Sequence, residues 1–234
     1  MDLGVGSTIL AGSLTRQRSL ATAPLAGQAR ALRTLVRHLP LLLLGLGRLL
    51  AVRATNYHEV HSEYGTHWNF FFTLGLVSLL MAWFAPRSAL GCACAASTLL
   101  AVHQWLLLSG LTELVHEAPR ATLVLANKEG LVSLLGYLAL ALAASACAPL
   151  VPEAPPMAKG AGFTTHELTR RVAPLLLVDI GLWLASGMSD AWVEPTSRRL
   201  CNAAYVLWVL AQGLLALALA ALRELLVDQA GDGE

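Results

Sequence analysis

Residues 201 to 222 read CNAAYVLWVLAQGLLALALAAL, a run of 22 without a charged side chain. A helix needs ~20 predominantly apolar residues to cross the hydrocarbon core of a bilayer, and lipid offers its backbone no hydrogen-bond partners outside the helix. The run therefore reads as a transmembrane helix. Working back along the chain, Val172 to Ser189, Leu131 to Val151, Ser88 to Gly110 and His67 to Phe84 read as further spans, and Leu39 to Val52, extended through Leu32 and Leu35, as the first. Residues 1 to 14, MDLGVGSTILAGSL, are apolar but too short to cross, and read as the stump of a span. A basic connection over residues 15 to 38 follows. The expected fold is all-α: a polytopic helical membrane protein with about six transmembrane helices plus an N-terminal helix stump, forming a single membrane domain.

Composition agrees. The 234 residues are 56% hydrophobic and 13% charged with a mean hydropathy of +0.61, as in multi-spanning membrane proteins. A net charge of +1 gives no electrostatic reason to expect a nucleic-acid partner. Cys92, Cys94, Cys147 and Cys201 lie in or beside apolar segments, where a thiol behaves as a small hydrophobe, and no disulfide framework is expected. Arg16 and Arg18 follow the first apolar run instead of preceding it, so no signal peptide is expected. Breakers fall between the spans at Pro86, Pro119, Pro152 to Pro156 with Gly160 and Gly162, and Pro195.

Lys and Arg accumulate on the cytoplasmic side of short loops. With the 15 to 38 segment inside, that side carries ten (Arg16, Arg18, Arg30, Arg33, Arg37, Arg87, Lys159, Arg170, Arg171, Arg223) and the opposite side five (Arg53, Arg120, Lys128, Arg198, Arg199). The C-terminal tail is then cytosolic. The polar stretch NYHEVHSEYGTHWNFFFTL, residues 56 to 74, lies outside the cytosol. It packs His58, Glu59, His61, Glu63, His67 and Asn69 beside Tyr57, Tyr64 and Trp68. A helix over 57 to 69 would put Tyr57, His61, Tyr64 and Trp68 on one stripe, weakened in its middle by Gly65. Interfacial anchoring accounts for the aromatic residues but does not call for two carboxylates and three imidazoles within ten residues.

Two more clusters face the same side: Asn127, Lys128, Glu129 and Gly130 ahead of one span, and Ser197, Arg198, Arg199, Cys201 and Asn202 ahead of another. Together the three offer base, carboxylate, amide and cation. A transferase esterifying a sugar or inositol hydroxyl would use a His or carboxylate to take the proton and fixed donors to hold the oxyanion. Glu59 or Glu63 would suit an amino sugar, and Arg198 or Arg199 a lipid phosphate. The ordinary alternatives are helix capping by Lys128 and Glu129 and interfacial anchoring by the arginines. His58, Glu59 and His61 form H-E-x-H, one residue short of the spacing that puts two imidazoles on one helical face, so no metal is expected. Asp179, His103 and Gln104 lie inside spans; a charge there is costly, and Arg48 or His103 could partner Asp179.

These motifs resemble those of the GPI inositol acyltransferases, the family of the fungal wall-transfer and animal class W proteins. The family pattern E-H-x-S-E-Y-G-x-H-W-N-F-F-F-T is similar to Glu59 to Thr73. MDLGVGS at residues 1 to 7, NKEG with S-x-x-G-Y at 127 to 137, and the Ser197 to Val209 run match as well. The resemblance implies an endoplasmic reticulum membrane protein, motif loops luminal, that moves a palmitoyl group from acyl-CoA, the co-substrate, to the inositol 2-hydroxyl of glucosaminyl-phosphatidylinositol, with no further cofactor. It implies catalytic residues among His67, Glu63, Glu59 and Asn69, and substrate-binding residues among Lys128, Glu129, Arg198 and Asn127. Two departures stand out. His61 is displaced by one place from the family's E-H-x-S, and family members continue upstream of the M-D-x-G-V-G-S motif with a segment whose Asp and Lys are thought to serve catalysis. The expectation is therefore a C-terminal portion of a larger enzyme, with Met1 an internal methionine and the short chain inactive alone. A transporter or flippase coupled through Asp179, Arg48 and His103, or a non-catalytic partner subunit, are the rival expectations.

Overall fold

Each long apolar run becomes a helix because only a helix satisfies the backbone within one segment of a membrane. The computed structural model describes residues 3–22, 27–55, 63–151 and 165–231, and among the described residues all regular structure is helical. The elements are α1 (Gly4–Thr22), α2 (Gly27–Thr55), α3 (Phe70–Phe84), α4 (Ala89–Leu106), α5 (Thr112–Glu117), α6 (Leu123–Ala126), α7 (Lys128–Cys147), α8 (Thr165–Trp192) and α9 (Ala203–Gly231). A wide five-residue turn, Leu107–Leu111, carries α4 into α5. Five stretches are long and apolar enough to cross a membrane: Leu35–Thr55, Ala89–Glu117, Lys128–Leu150, Val172–Trp192 and Ala203–Arg223. The protein is a polytopic helical membrane protein.

The sixth expected span is shorter than its apolar run. Asn69 adopts an extended backbone and its side-chain oxygen accepts from the Phe71 and Phe72 amides, so α3 starts at Phe70 and has 15 residues. His67 to Asn69 are thereby drawn out of the helix, because an Asn at this position satisfies amides that have no intrahelical partner.

The expected N-terminal stump is present as α1, which is not among the spans, but it ends later than Leu14. Residues 15–22 contain no breaker, so the helix that starts at Gly4 continues to Thr22, and most of the expected basic connection is helical in α1 and α2. Val5, Ile9, Leu10, Ser13 and Leu14 form its buried stripe, packed on α7 and α9. Its far end is tied down by the Arg16 guanidinium, which donates to the Met81 carbonyl at 2.7 Å, and by Gln17, which donates to the Arg87 carbonyl at 2.7 Å.

Helix α7 is the axis of the bundle. It packs against α1, α3, α4 and α9, and buries Ser133, Gly136, Ala139, Ala141, Ala144 and Ser145. Small side chains let membrane helices approach closely, where van der Waals packing replaces the hydrophobic drive that water would supply. Helices α8 and α9 pair beside it, as do α2 and α3. Large apolar side chains such as Leu43, Leu44, Trp105, Leu177 and Leu184 remain on the outside, as a lipid-facing surface requires. Pro86, Pro119 and Pro195 all fall between helices as expected; Pro152 to Pro156 lie outside the described residues.

This antiparallel path brings the start of α3, the end of α5, the start of α7 and the α8–α9 connection to one end of the bundle. The described part of the first polar cluster, from Glu63 on, and the other two clusters are there.

Candidate functional site

Of the expected helix over 57–69, residues 63–69 are described, and they form a turn followed by a bend and irregular chain instead. Gly65 is the reason. Its φ of +110° is one that other residues rarely adopt, and a Cβ there would lie 2.7 Å from the Asn127 Cα and 2.8 Å from the Ala126 oxygen. The loop therefore lies flat on the α6–α7 junction. The Thr66 amide donates to the Ala126 carbonyl at 2.8 Å, the His67 amide to Asn127 Oδ1 at 2.8 Å, and the Gly130 amide to the Tyr64 carbonyl at 2.9 Å. Trp68 covers Gly130 so closely that a Cβ would fall 2.3 Å from its ring, and its indole N–H donates to Thr73 Oγ1 at 2.9 Å. His67 is half-buried, with Nδ1 inside the protein and no hydrogen-bond partner there among the described residues.

Beneath the loop sits Glu129, fully buried in the first turn of α7. Arg120 grips both its oxygens, at 2.5 and 3.0 Å, and also donates to the Ala126 carbonyl at 2.9 Å. Arg199 reaches the same carboxylate at 2.9 Å from the α8–α9 connection, and donates to the Val115 carbonyl and to His116 Nδ1. A buried carboxylate is tolerable only when its charge is matched and its lone pairs are filled, and the two guanidiniums do both. The contact between Arg199 and His116 Nδ1 requires that nitrogen to accept, which places the His116 proton on Nε2. Lys128 is buried as well; its ammonium donates to the carbonyls of Leu114 and Ala118 at the end of α5, where a cation also complements the helix dipole.

The third cluster approaches from the α8–α9 connection. Arg198 lies 5.4 Å above the Tyr64 ring, donates to the Tyr64 hydroxyl at 3.3 Å and pairs with Glu63 at 3.2 Å. Burial disfavours its charge, but Tyr64 and Glu63 outweigh that and hold its pKa above the ordinary value. Asn202 is fully buried and fastens the turn: its oxygen accepts from the Ser197 and Tyr205 amides, and its nitrogen donates to Glu194 and to the Pro195 carbonyl. Glu194 is further held by Gln104 at 2.9 Å and Thr112 at 3.0 Å, and Gln104 accepts from the Ala203 amide. His103 joins this scaffold through Nε2, 3.0 Å from the Leu200 carbonyl. Burial pushes the Cys201 thiol well above its ordinary pKa, so it is not a ready nucleophile.

Of the residues singled out from the sequence, Glu63, His67, Asn127, Lys128, Glu129 and Arg198 thus meet at one end of the bundle. Asn69 is close by, but both ends of its amide are engaged: Oδ1 in the α3 cap and Nδ2 with the Gly45 carbonyl of α2 at 2.9 Å. Asn127 likewise uses its oxygen on His67 and its nitrogen on the Leu123 carbonyl. Glu59, His58 and His61 lie outside the described residues, and among those described no three potential ligands are placed to hold a metal. Asp179 is buried in α8 with Oδ1 unpartnered, while His103 is engaged with Leu200, so the pairing of those two considered from the sequence is absent. The sequence alone does not single out Arg120, His116 or Glu194 as site residues. The sequence signal for Arg120 was only that of a loop cation on the shared side.

The GWT1 family model matches residues 1–233. The chain belongs to the GWT1 family. Among members of that family, a GPI-anchored wall transfer protein 1 from Gibberella zeae is 35% identical over 229 residues, covering 90% of this chain and 46% of the relative. A phosphatidylinositol-glycan biosynthesis class W protein from Dictyostelium discoideum is 36% identical over 176 residues, covering 75% and 34%. An uncharacterized protein from Arabidopsis thaliana is 36% identical over 218 residues, covering 93% and 48%. This GWT1-family chain spans about half the length, or less, of the curated relatives it matches.

Proposed function

We propose that this chain carries part of the machinery of an O-acyltransferase of GPI-anchor biosynthesis in the endoplasmic reticulum membrane, with the polar end of the bundle on the luminal side. The reaction is transfer of a fatty acyl group, palmitoyl in the first instance, from acyl-CoA to the inositol 2-hydroxyl of glucosaminyl-phosphatidylinositol. The observation that carries this reading is the convergence of three separate helix-end segments, linked through His67 to Asn127, Arg198 to Glu63 and Arg199 to Glu129. Family membership and the names of the relatives support the GPI assignment.

In such a transfer the inositol oxygen attacks the thioester carbonyl, its proton goes to a base, and the C–S bond breaks to release the CoA thiolate, which takes up a proton. Of the imidazoles near the site, His116 is engaged by Arg199, and His67, its backbone pinned by Asn127, is the candidate base. Glu129 with Arg120 and Arg199 forms a rigid floor that fixes the α6–α7 junction under the His67 loop. Lys128 and Asn127 serve the same positioning role. Substrate phosphates and the phosphate-rich head of CoA suit a surface edged by guanidiniums.

The test is acyl transfer from labelled palmitoyl-CoA to glucosaminyl-phosphatidylinositol in microsomes lacking the endogenous enzyme. His67→Ala in the full-length protein is expected to reduce product sharply at unchanged abundance. Full activity in that variant removes His67 from the chemistry, and an intact protein that makes no acylated lipid overturns the reading.

A further inference from the structure

Three guanidiniums converge at the polar end of the bundle, and the structure distinguishes them. Arg120 and Arg199 are both spent on Glu129, a carboxylate with no exposed surface, and each is further bound to main-chain carbonyls. Releasing either would strip a donor from that buried carboxylate and from a main-chain carbonyl, leaving buried acceptors unpaired, so neither is available to a substrate that comes and goes. Arg198 is held differently. Its own side chain is 17% exposed, whereas that of its counter-ion Glu63 is 52% exposed.

The support of Arg198 does not depend on Glu63. The Tyr64 ring lies beneath the guanidinium and the Tyr64 hydroxyl accepts from it. Tyr64 is fixed in turn by the Gly130 amide on its carbonyl. Glu63 pairs with Arg198 Nη2 at 3.2 Å, and a half-exposed pair of this kind contributes little to stability. Glu63 can leave while Arg198 stays where it is.

We propose that Arg198 is the receptor for a substrate phosphate and that Glu63 is its exchangeable counter-ion. The exchange trades one anion for another, so the largely buried guanidinium is never left unmatched. A phosphate also offers two oxygens to the planar fork of the guanidinium. The inference rests on the acyl-transfer reading of the site for its choice between two sources of phosphate, the phosphodiester of an inositol phospholipid and the phosphates of CoA. It narrows the two arginines, 198 and 199, left open by sequence to one.

The test is equilibrium binding to the 234-residue chain purified in detergent, with radiolabelled palmitoyl-CoA and, separately, phosphatidylinositol in mixed micelles as probes. Arg198→Gln is expected to weaken one probe roughly 10- to 100-fold, the loss of a charged hydrogen-bonding partner, and the probe affected identifies the source. Glu63→Gln is expected to tighten the same probe several-fold because a competing anion is gone, and Arg198→Lys to retain part of the affinity. Glu63 is exposed enough that its variant folds even if Arg198→Gln does not, so the sign of the Glu63→Gln effect decides. Weakening in Glu63→Gln, or no change in either variant while the wild type binds, overturns the inference and leaves the acyl-transfer reading standing. The expected pattern in a full-length protein that makes no acylated lipid sinks the acyl-transfer reading and leaves the phosphate site standing. A wild type that binds neither probe overturns the phosphate site, and the acyl-transfer reading is then decided by the transfer assay in the full-length protein.

Discussion

Replacing Gly65 by Ala should undock the His67 loop without unfolding the bundle. In the docked state the new Cβ meets two main-chain atoms, the Asn127 Cα at 2.7 Å and the Ala126 oxygen at 2.8 Å, and no rotamer change can relieve either. The φ of +110° adds ~1–3 kcal/mol of backbone strain for a residue with a Cβ. The alternative is to undock and forfeit the Thr66, His67 and Gly130 amide hydrogen bonds, worth ~1 kcal/mol each. The variant takes whichever route costs less, so docking weakens by about 2 to 3 kcal/mol. Local opening of this size is read directly by amide exchange, since ~1.4 kcal/mol is tenfold in an equilibrium. Exchange at Thr66 and His67 should quicken roughly 30- to 140-fold, while α7 and α9 amides keep their protection. Gly181→Ala is the control: a Cβ there meets nothing within 4 Å, and the loop amides should exchange as in the wild type. Unchanged protection of Thr66 and His67 in Gly65→Ala would refute the docking geometry.

Three further outcomes follow from the same structure. Glu129→Gln leaves two guanidiniums without their carboxylate. Because the Arg120 and Arg199 side chains are 30% and 26% exposed, water screens part of the damage, and a loss of about 2 kcal/mol is expected, against none for exposed Glu113→Gln, by denaturation in detergent. Asn69→Ala removes the α3 cap and the bond to Gly45 together and should cost ~1–2 kcal/mol, with Asn69→Ser recovering the cap alone and therefore only part of that loss in a melting curve. N-ethylmaleimide at neutral pH should label Cys201 only after denaturation in SDS, since burial both hides the thiol and raises its pKa; labelling in the folded protein contradicts the packing of Cys201 against Gly136.

The helical spans were legible because a bilayer imposes a one-dimensional rule. A stretch such as 201–222 must satisfy its backbone within itself, and composition plus length suffices to find it. The three polar clusters were legible as exceptions to that composition, each placed at a span boundary, and charge bias put them on one side. Their convergence followed from topology alone. The errors came where a local pattern competed with a distant partner. Residues 57–69 have helical spacing, yet Gly65 answers to Ala126 and Asn127, some 60 places away, and Asn69 answers to the first turn of α3 and to Gly45. A charge such as Arg16 marks the end of an apolar run in the sequence, whereas in the structure Arg16 is part of α1 and reaches the Met81 carbonyl.

Sequence by itself determined that this is a multi-span helical membrane protein of the GWT1 family and which three segments hold its polar chemistry, since both depend on composition and order. Tertiary structure alone decided how the charges divide. Arg120, Arg198 and Arg199 are equivalent as letters, and Glu63 and Glu129 nearly so. Packing sinks Glu129 under the α7 terminus, where Arg120 and Arg199 supply its donors, and leaves Glu63 at the surface with Arg198, because the energy of a charge depends on what surrounds it in space.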